Sequence, residues 1–505
     1  MDINKVTAFD NTNNDVTIVT DPKTINVRAK DMAAMVEYWD KTDAIVEGYE
    51  TIKAAGKTYL PKFAEEDESD YKVRLNLTKF TNVYRDVLEG LATKPFEEEV
   101  QVLKDEKNPI PPVISDFAEN VDGAGNNLTM FSAQTFFNGI NSAIDWIFVD
   151  YPTFDPETVR TIADQKAQNI KPFWSHVLGR NVYEARSEII GSDEILSYIK
   201  IFEPGVSGPD RFRIFQRTTA GVVTWELWEK NPQEQNGSEK QFFRIGFGTL
   251  SIDIIPMVPF ATGRRDGKSF KYFPAMRDAA DLQIDLYQDE SALKFIKTMA
   301  GYPMLAGNGV KPEKGADGKP MKLAVGPMRV LYSSPDASGS HGEWKFIEPS
   351  ATSMEFLQKS ITETKQDLRE LGRQPLTALT GQLTVITTAV AAGKARSAVS
   401  AWALALKDAL ENALEITAKY FGLADYEAQI NVFTEFDTLT EGGADLTELG
   451  KARDRNDISQ ETYWLELKRR KVLSPEFDAE EEKKRLLDSI PSDNITPTPN
   501  KPAGG

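Results

Sequence analysis

The chain contains no cysteine and only two histidines, His176 and His341, in 505 residues. The first absence excludes disulfides, thiolate zinc sites and cysteine nucleophiles together. Two separated histidines cannot build a histidine metal cluster. A Ser-His-Asp arrangement needs a nucleophile and an orienting acid, and no motif beside either histidine announces them. Both are read as structural or surface residues. Long apolar runs are also missing: the longest are short pieces such as AVSAWALAL at 398–406, against the ~18 residues that mark a membrane span. The first residues, MDINKVTAFDNTNN, lack a basic start followed by an apolar core, so no secretory signal is expected. Positive charge is short as well, with 59 Lys and Arg against 77 Asp and Glu and a net charge of -18. Proteins that grip a phosphate backbone do so through Lys and Arg that displace counterions. A static nucleic-acid binder is therefore excluded, whereas a surface past which DNA slides is compatible with the acidity.

What remains is a composition of 40% hydrophobic and 27% charged residues, suited to a folded, soluble protein of the cytosol or of something assembled there. The length exceeds what one hydrophobic core usually supports, so several packed regions are expected. No internal repeat is found.

Periodicity organises the chain. Residues 31–60 read as helix and connection, with Met32, Met35, Val36 and Trp39 at helical spacing. A second helical stretch covers 71–96, where Leu77, Phe80, Val83, Tyr84, Val87, Leu88 and Leu91 fall three or four apart before Lys94-Pro95. Residues 127–146 suit another helix, and WIFVDYP at 146–152 is an apolar run of strand length stopped by proline. The period then changes: segments at 195–203, 211–218, 221–230, 240–247 and 250–261 alternate polar with β-branched or aromatic residues, which predicts a β-rich block.

From 275 to 300 helical spacing returns, with Leu282, Leu286, Leu293 and Ile296 on one face and Ile284, Tyr287 and Phe295 beside it. Glycine, proline and short strands alternate over 301–350. A second long helix over 351–372 carries Met354, Leu357, Ile361, Leu368 and Leu371 as its stripe. A tip held on a two-helix stalk is the simplest geometry. Residues 373–387 form a threonine-rich loop, and a long helix rich in Ala, Ser and Gly follows. INVFTEFD at 430–437 is a strand candidate that extends the β-rich block. Residues 445–490 are helical with a solvated charged face, and 491–505 is too poor in apolar surface to order.

Two apparent motifs are decoys. GRRDGKS at 263–269 follows a strand, but Gly263 and Gly267 enclose three residues where a phosphate-binding loop needs four, and no helix follows at once. It reads as a basic loop. Asp145 with Asp150 is one of many carboxylate pairs expected by chance in so acidic a chain. Trp225 and Trp228 in TWELWEK have no interleaved basic residues and read as sheet packing, not a base-stacking platform.

Five stretches in order give the chain a likeness to a known family: RLNLTKFTNVYRDVLEGLATKPF (74–96), AIDWIFVDYP (143–152), KPFWSHV (171–177), DLQIDLYQDESALKFIKTMAGYPMLAG (281–307) and ISQETYWLELKRRKVLSPEFDAEEEKKRL (458–486). Over most of residues 30–490 the chain resembles the bacteriophage portal proteins. Residues 373–387 carry no match residue by residue.

The resemblance implies an α+β, mainly helical subunit. Residues 1–274 are the N-terminal arm and wing, with the β-rich block at 195–261. Residues 275–300 and 351–372 are the two stem helices, 301–350 the clip, and 373–387 the channel loop. Residues 388–444 are a long helix and return to the wing, 445–490 the crown, and 491–505 a disordered tail.

It further implies a ring, a dodecamer in the family, at one capsid vertex of the virion, assembled in the host cytoplasm. Double-stranded DNA passes through it during packaging and ejection. The implied partners are other copies of the chain, the major capsid protein and scaffold, the terminase packaging motor and the head-tail connector, with no membrane. No enzyme activity, cofactor or metal is implied. By position, Lys294, Lys297, Arg373, Gln374, Thr377, Thr380 and Gln382 are candidates for the DNA channel, and Asn308, Lys311, Lys314 and Lys319 for docking partners at the clip. Two other readings stay open. One is an acidic-residue hydrolase with the β-rich block as catalytic domain. The other is a generic intracellular scaffold with helical arms that oligomerises without a channel.

Overall fold

The computed structural model describes residues 6–9, 15–18, 20–103, 109–152, 164, 167–234, 236, 241–301, 304–308, 342–347, 351–373, 385–434, 442–469, 472–473 and 477–489. It divides into two units, Met1–Thr434 and Glu435–Gly505. Helices and strands occupy separate stretches of the chain rather than alternating, which makes the fold α+β as the resemblance implies. The tail 491–505, the segment 374–384 and His341 lie outside the described residues.

The first unit begins with a hairpin of β1 (Val6–Phe9) and β2 (Asp15–Ile18). Helices α1 (Lys30–Ala33), α2 (Val36–Glu47), α3 (Tyr49–Ala54), α4 (Glu68–Asn76) and α5 (Val83–Ala92) follow. The single helical stretch expected over 71–96 is thus interrupted at 77–82. Asn82 caps α5 by accepting from the Arg85 amide at 2.9 Å, and Val83, Tyr84, Val87, Leu88 and Leu91 are all buried as their spacing predicts.

After β3 (Gln101–Val102) and α6 (Pro112–Ala118), α7 runs Leu128–Ser142 and stops short of the expected residue 146. Ala143 ends it in the left-handed region at φ 69°, a place usually taken by glycine. The Ala143 carbonyl accepts from the amides of Thr262 and Gly263 at 3.0 and 3.1 Å. That pairing turns the chain out of the helix and into β4 (Ile144–Asp150).

Two antiparallel sheets follow. β5 (Phe173–Leu178) pairs with β4, and β6 (Val182–Ile190), β7 (Asp193–Glu203), β8 (Arg211–Arg217), β9 (Val223–Lys230) and β10 (Phe242–Thr249) form a five-stranded meander. The expected strand over 250–261 shrinks to β11 (Met257–Ala261), which pairs with β4. The β-rich block is therefore two sheets, not one. Trp146 and Phe148 of β4 share a core with Val177, Ile199, Phe215, Met257 and Trp39, which joins the sheets to each other and to α2.

Trp228 is buried with Phe212 and Phe242 in a second cluster. Trp225 lies against β10, where a Cβ on Gly248 would come within 3.0 Å of its indole nitrogen. Both tryptophans are packing residues, as read from the sequence. GRRDGKS lies in the hairpin of β12 (Arg264–Arg265) and β13 (Tyr272–Phe273), with Arg265 paired to Glu194 at 2.6 Å. No helix starts there.

The longest helices come next. α8 (Arg277–Gly301) leads into β14 (Met304–Asn308), which pairs antiparallel with β15 (Glu343–Ile347), and α9 (Ala351–Arg373) leads away. α10 (Val385–Tyr420) then returns to the sheets, where Trp402 donates to the Thr262 carbonyl at 2.9 Å and Trp174 of β5 to the Thr417 hydroxyl at 2.8 Å. Buried indoles find partners in this way. Of the expected strand at 430–437, residues 435–437 lie outside the described residues; among the others Ile430–Asn431 form β16, which pairs with β3 instead of joining the β-rich block. Glu411 of α10 fixes this by accepting from the Ile430 amide at 2.8 Å.

The second unit holds α11 (Gly442–Asp454), α12 (Gln460–Arg469) and α13 (Ala479–Ser489). Ser459 and Asp478 cap the last two by accepting backbone amides at 2.8–3.1 Å. Trp464 is buried against Phe477, and Lys483 pairs with Glu461 at 2.8 Å. Among the described residues no helix is long and apolar enough to cross a membrane.

Candidate functional site

The hairpin of α8 and α9 is antiparallel. Glu290 meets Lys365 at 2.6 Å and Lys297 meets Gln358 at 3.3 Å, so partner numbers fall along α9 as they rise along α8. Leu286 and Leu293 of α8 and Ile361, Leu368 and Leu371 of α9 are buried, which accounts for the apolar stripes. α9 also packs against α5.

A second face of α8 is polar and buried, and the apolar periodicity hides it. Gln283, Glu290 and Ser291 are each at most 3% exposed. With Tyr287 and Lys294 they recur at steps of three or four and so line one side of a helix. Across that side runs the interrupted segment 77–82. The Gln283 carboxamide oxygen accepts the amides of both Val83 and Tyr84 at 2.9 Å, and its nitrogen donates to the Thr81 carbonyl at 3.0 Å.

Glu290 accepts from the Thr81 amide at 3.0 Å and the Thr81 hydroxyl at 2.8 Å. Phe80 stands edge-on to Tyr287, 5.8 Å between centroids, and Lys294 donates to the Thr78 carbonyl at 3.2 Å. Backbone groups that would orphan at the end of α4 and the start of α5 are thus satisfied by side chains of α8. This is the physical reason that the helix breaks at 77–82.

Where the ladder ends, a cleft of about 320 Å³ opens between α8, α9 and residue 79. Lys79, Lys294, Lys297 and Lys365 line it together with Glu290. Two residues chosen by position for the DNA channel, Lys294 and Lys297, therefore share one cleft. The others do not join them: Arg373 is the last residue of α9, and Gln374, Thr377, Thr380 and Gln382 lie outside the described residues. Of the clip candidates, Asn308 closes β14, its backbone opposite Glu343, and Lys311, Lys314 and Lys319 lie outside the described residues.

The opposite side of α8 is acidic, with Asp278, Asp281, Asp285 and Asp289 three or four residues apart. Asp281 pairs with Lys41 at 2.6 Å. Burial pushes the Asp285 carboxyl up, and the neighbouring Asp281 charge adds to the rise. Asp289 is likewise raised by burial, with the hydroxyl of Ser360 opposing and Asp285 reinforcing.

Asp145 and Asp150 do not form a pair. Five residues apart on β4, they point to opposite faces. Asp150 meets Arg213 at 3.4 Å, while fully buried Asp145 lies 3.6 Å from the Nδ1 of His176. Burial raises the Asp145 carboxyl, with His176 opposing. His176 itself stacks on Phe131 with centroids 4.0 Å apart.

Comparison with known proteins adds the following. A family model described as a domain of unknown function (DUF4055) matches residues 275–421, a stretch that takes in α8, α9 and α10. Among solved structures, the neck of the native GTA particle computed with C12 symmetry is similar at 13% identity and a TM-score of 0.38, covering 81% of this chain and 90% of that one. The neck of the empty GTA particle computed with C6 symmetry gives 14% identity and a TM-score of 0.40 over the same shares. The virion of the native gene transfer agent particle gives 13% identity and a TM-score of 0.37, covering 87% of this chain and 98% of that one. No curated protein matches the sequence.

Proposed function

We propose that the chain is a structural component of a phage-like particle, and within it the portal subunit: a ring-forming protein through which double-stranded DNA is packaged and ejected. The observation that carries this reading is the hairpin. Two long antiparallel helices, α8 and α9, run into a strand pair, β14 and β15; α8 is tied to the helical N-terminal region by buried hydrogen bonds, and α9 packs against α5. That is the order of stem, clip and stem that the sequence resemblance implies. The return of α10 to the β4 sheet, fixed by Trp402 and Trp174, supports its role as the link back to a wing. On this reading the second unit is the crown.

The function is mechanical, and the protein makes and breaks no bond. A ring closes when each copy carries two unlike surfaces that meet head to tail. An acidic chain favours passage of DNA over its retention, because a strongly basic bore would hold it. The clip docks the packaging motor first and the head-tail connector afterwards. Negative-stain electron microscopy of the purified protein with light scattering in parallel tests the reading. The expected result is rings with a central hole and the mass of a dodecamer. A chain that remains monomeric at high concentration in the presence of scaffold protein overturns it.

A further inference from the structure

We propose that the lysine cleft of the α8–α9 hairpin receives the acidic face of α8 from a second copy of this chain, so that successive copies join cleft to carboxylate around the ring. The inference rests on the portal reading and names the contact that closes it. Four ammonium groups, those of Lys79, Lys294, Lys297 and Lys365, border one cleft with a single carboxylate, Glu290. Glu290 is already engaged by Thr81 and shared between Lys365 at 2.6 Å and Lys79 at 3.4 Å, one carboxylate against four ammonium groups. Lys294 and Lys297 are held by uncharged acceptors, the Thr78 carbonyl and the Gln358 side chain, so their charge is positioned without being neutralised. Lys79 keeps 57% of its side chain exposed. The cleft is thus preorganised for an anion and carries an excess of positive charge.

The complementary surface is on the same helix. At 100° per residue, Asp285 lies about 180° around α8 from Lys294, and Asp278, Asp281 and Asp289 lie within about 40° of Asp285. Among the described residues only Asp281 of these four makes an ion pair. One copy cannot bring opposite sides of a helix together, whereas a rotated neighbour can, and repetition of one such contact is what closes a ring. DNA phosphate is the rival source of negative charge. It is disfavoured by the net charge of -18, which repels a polyanion over any distance that salt leaves unscreened.

The test uses two charge reversals in the full chain, Lys294→Glu with Lys297→Glu in one variant and Asp285→Lys with Asp289→Lys in the other. Each alone puts like charges at the contact and is expected to weaken ring assembly by about tenfold or more in light scattering. An equimolar mixture is expected to restore rings, because each variant then meets its complement, and that rescue also shows that both fold. Rings formed by either variant alone as readily as by the wild type overturn the inference and leave the portal reading standing. Absence of rescue on mixing also overturns it, since the loss is then one of folding. A lysine variant that keeps its rings but loses retention of a double-stranded DNA fragment makes the cleft a phosphate site and overturns it too. A wild-type chain that never forms rings removes both readings.

Discussion

The two sheets and the helical hairpin of the first unit are built by different rules. The sheets are joined by apolar bulk: Trp146, Phe148, Phe215 and Met257 meet in one core, and their burial is roughly proportional to area and tolerant of direction. The base of the hairpin is joined by direction. Gln283, Glu290, Ser291 and Lys294 each reach particular backbone groups of residues 78–84, and a buried group that loses its partner costs more than a made bond returns. A hairpin held by directed bonds keeps its angle to the elements beneath it better than one held by apolar bulk, which can slide.

The sharpest way to break that contrast is to empty the apolar side. Trp146→Ala is expected to destabilise the first unit by about 3–5 kcal/mol, read as a shift in urea midpoint. A change under ~1 kcal/mol would show that the sheets are held by something else. On the polar side, Gln283→Leu keeps bulk and removes direction. It leaves the Tyr84 amide without its partner and the Val83 amide and Thr81 carbonyl with each other alone, at 3.1 Å, a loss of about 1–3 kcal/mol. Hydrogen exchange is expected to rise at residues 81–84 while β4 stays protected. Unaltered exchange there means that the ladder is ornamental.

The smallest effect sharpens the comparison at the surface. Glu194 is held to a pKa of about 2 by Arg265 and by Ser187. A depressed carboxyl contributes stability that is complete above its unfolded value near 4.5 and is lost as pH falls toward 2. Glu194 is 42% exposed, so solvent screens the pair and the gain is modest. Glu194→Gln is expected to lower the urea midpoint slightly at pH 6 and to converge with the wild type as pH approaches 2. A difference independent of pH would assign the effect to packing.

The same contrast explains what the sequence made legible. Apolar periodicity placed α8 and α9 to within a few residues, because each buries a stripe that recurs at helical spacing. It also placed β7, β8 and β9. It failed where a polar or small residue decides. Ala143 ends α7 at a positive φ because its carbonyl is captured by residues 262 and 263, and no local pattern announces a partner that far away.

β16 pairs with β3, distant in sequence, with the Leu103 amide donating to the Gln429 carbonyl and the Ile430 amide to Glu411. The buried ladder of α8 left one trace: Gln283, Glu290 and Ser291 share a helical side with Tyr287, and a polar stripe containing a large aromatic is a sign of burial. Lys294 and Lys297 were singled out for their place near the end of α8. The cleft that unites them required Lys79, distant in sequence, and was invisible without the fold.

The ladder also sets a schedule. Thr81 waits for Glu290, 209 residues later in the chain, and Val83 waits 200 residues for Gln283. At ~5–20 residues per second on the ribosome, the amides at the start of α5 stay open for roughly 10–40 s of synthesis. Loop closure over such spans is slow. The bonds at the start of α5 therefore cannot form until α8 has emerged, about sixty residues ahead of α9.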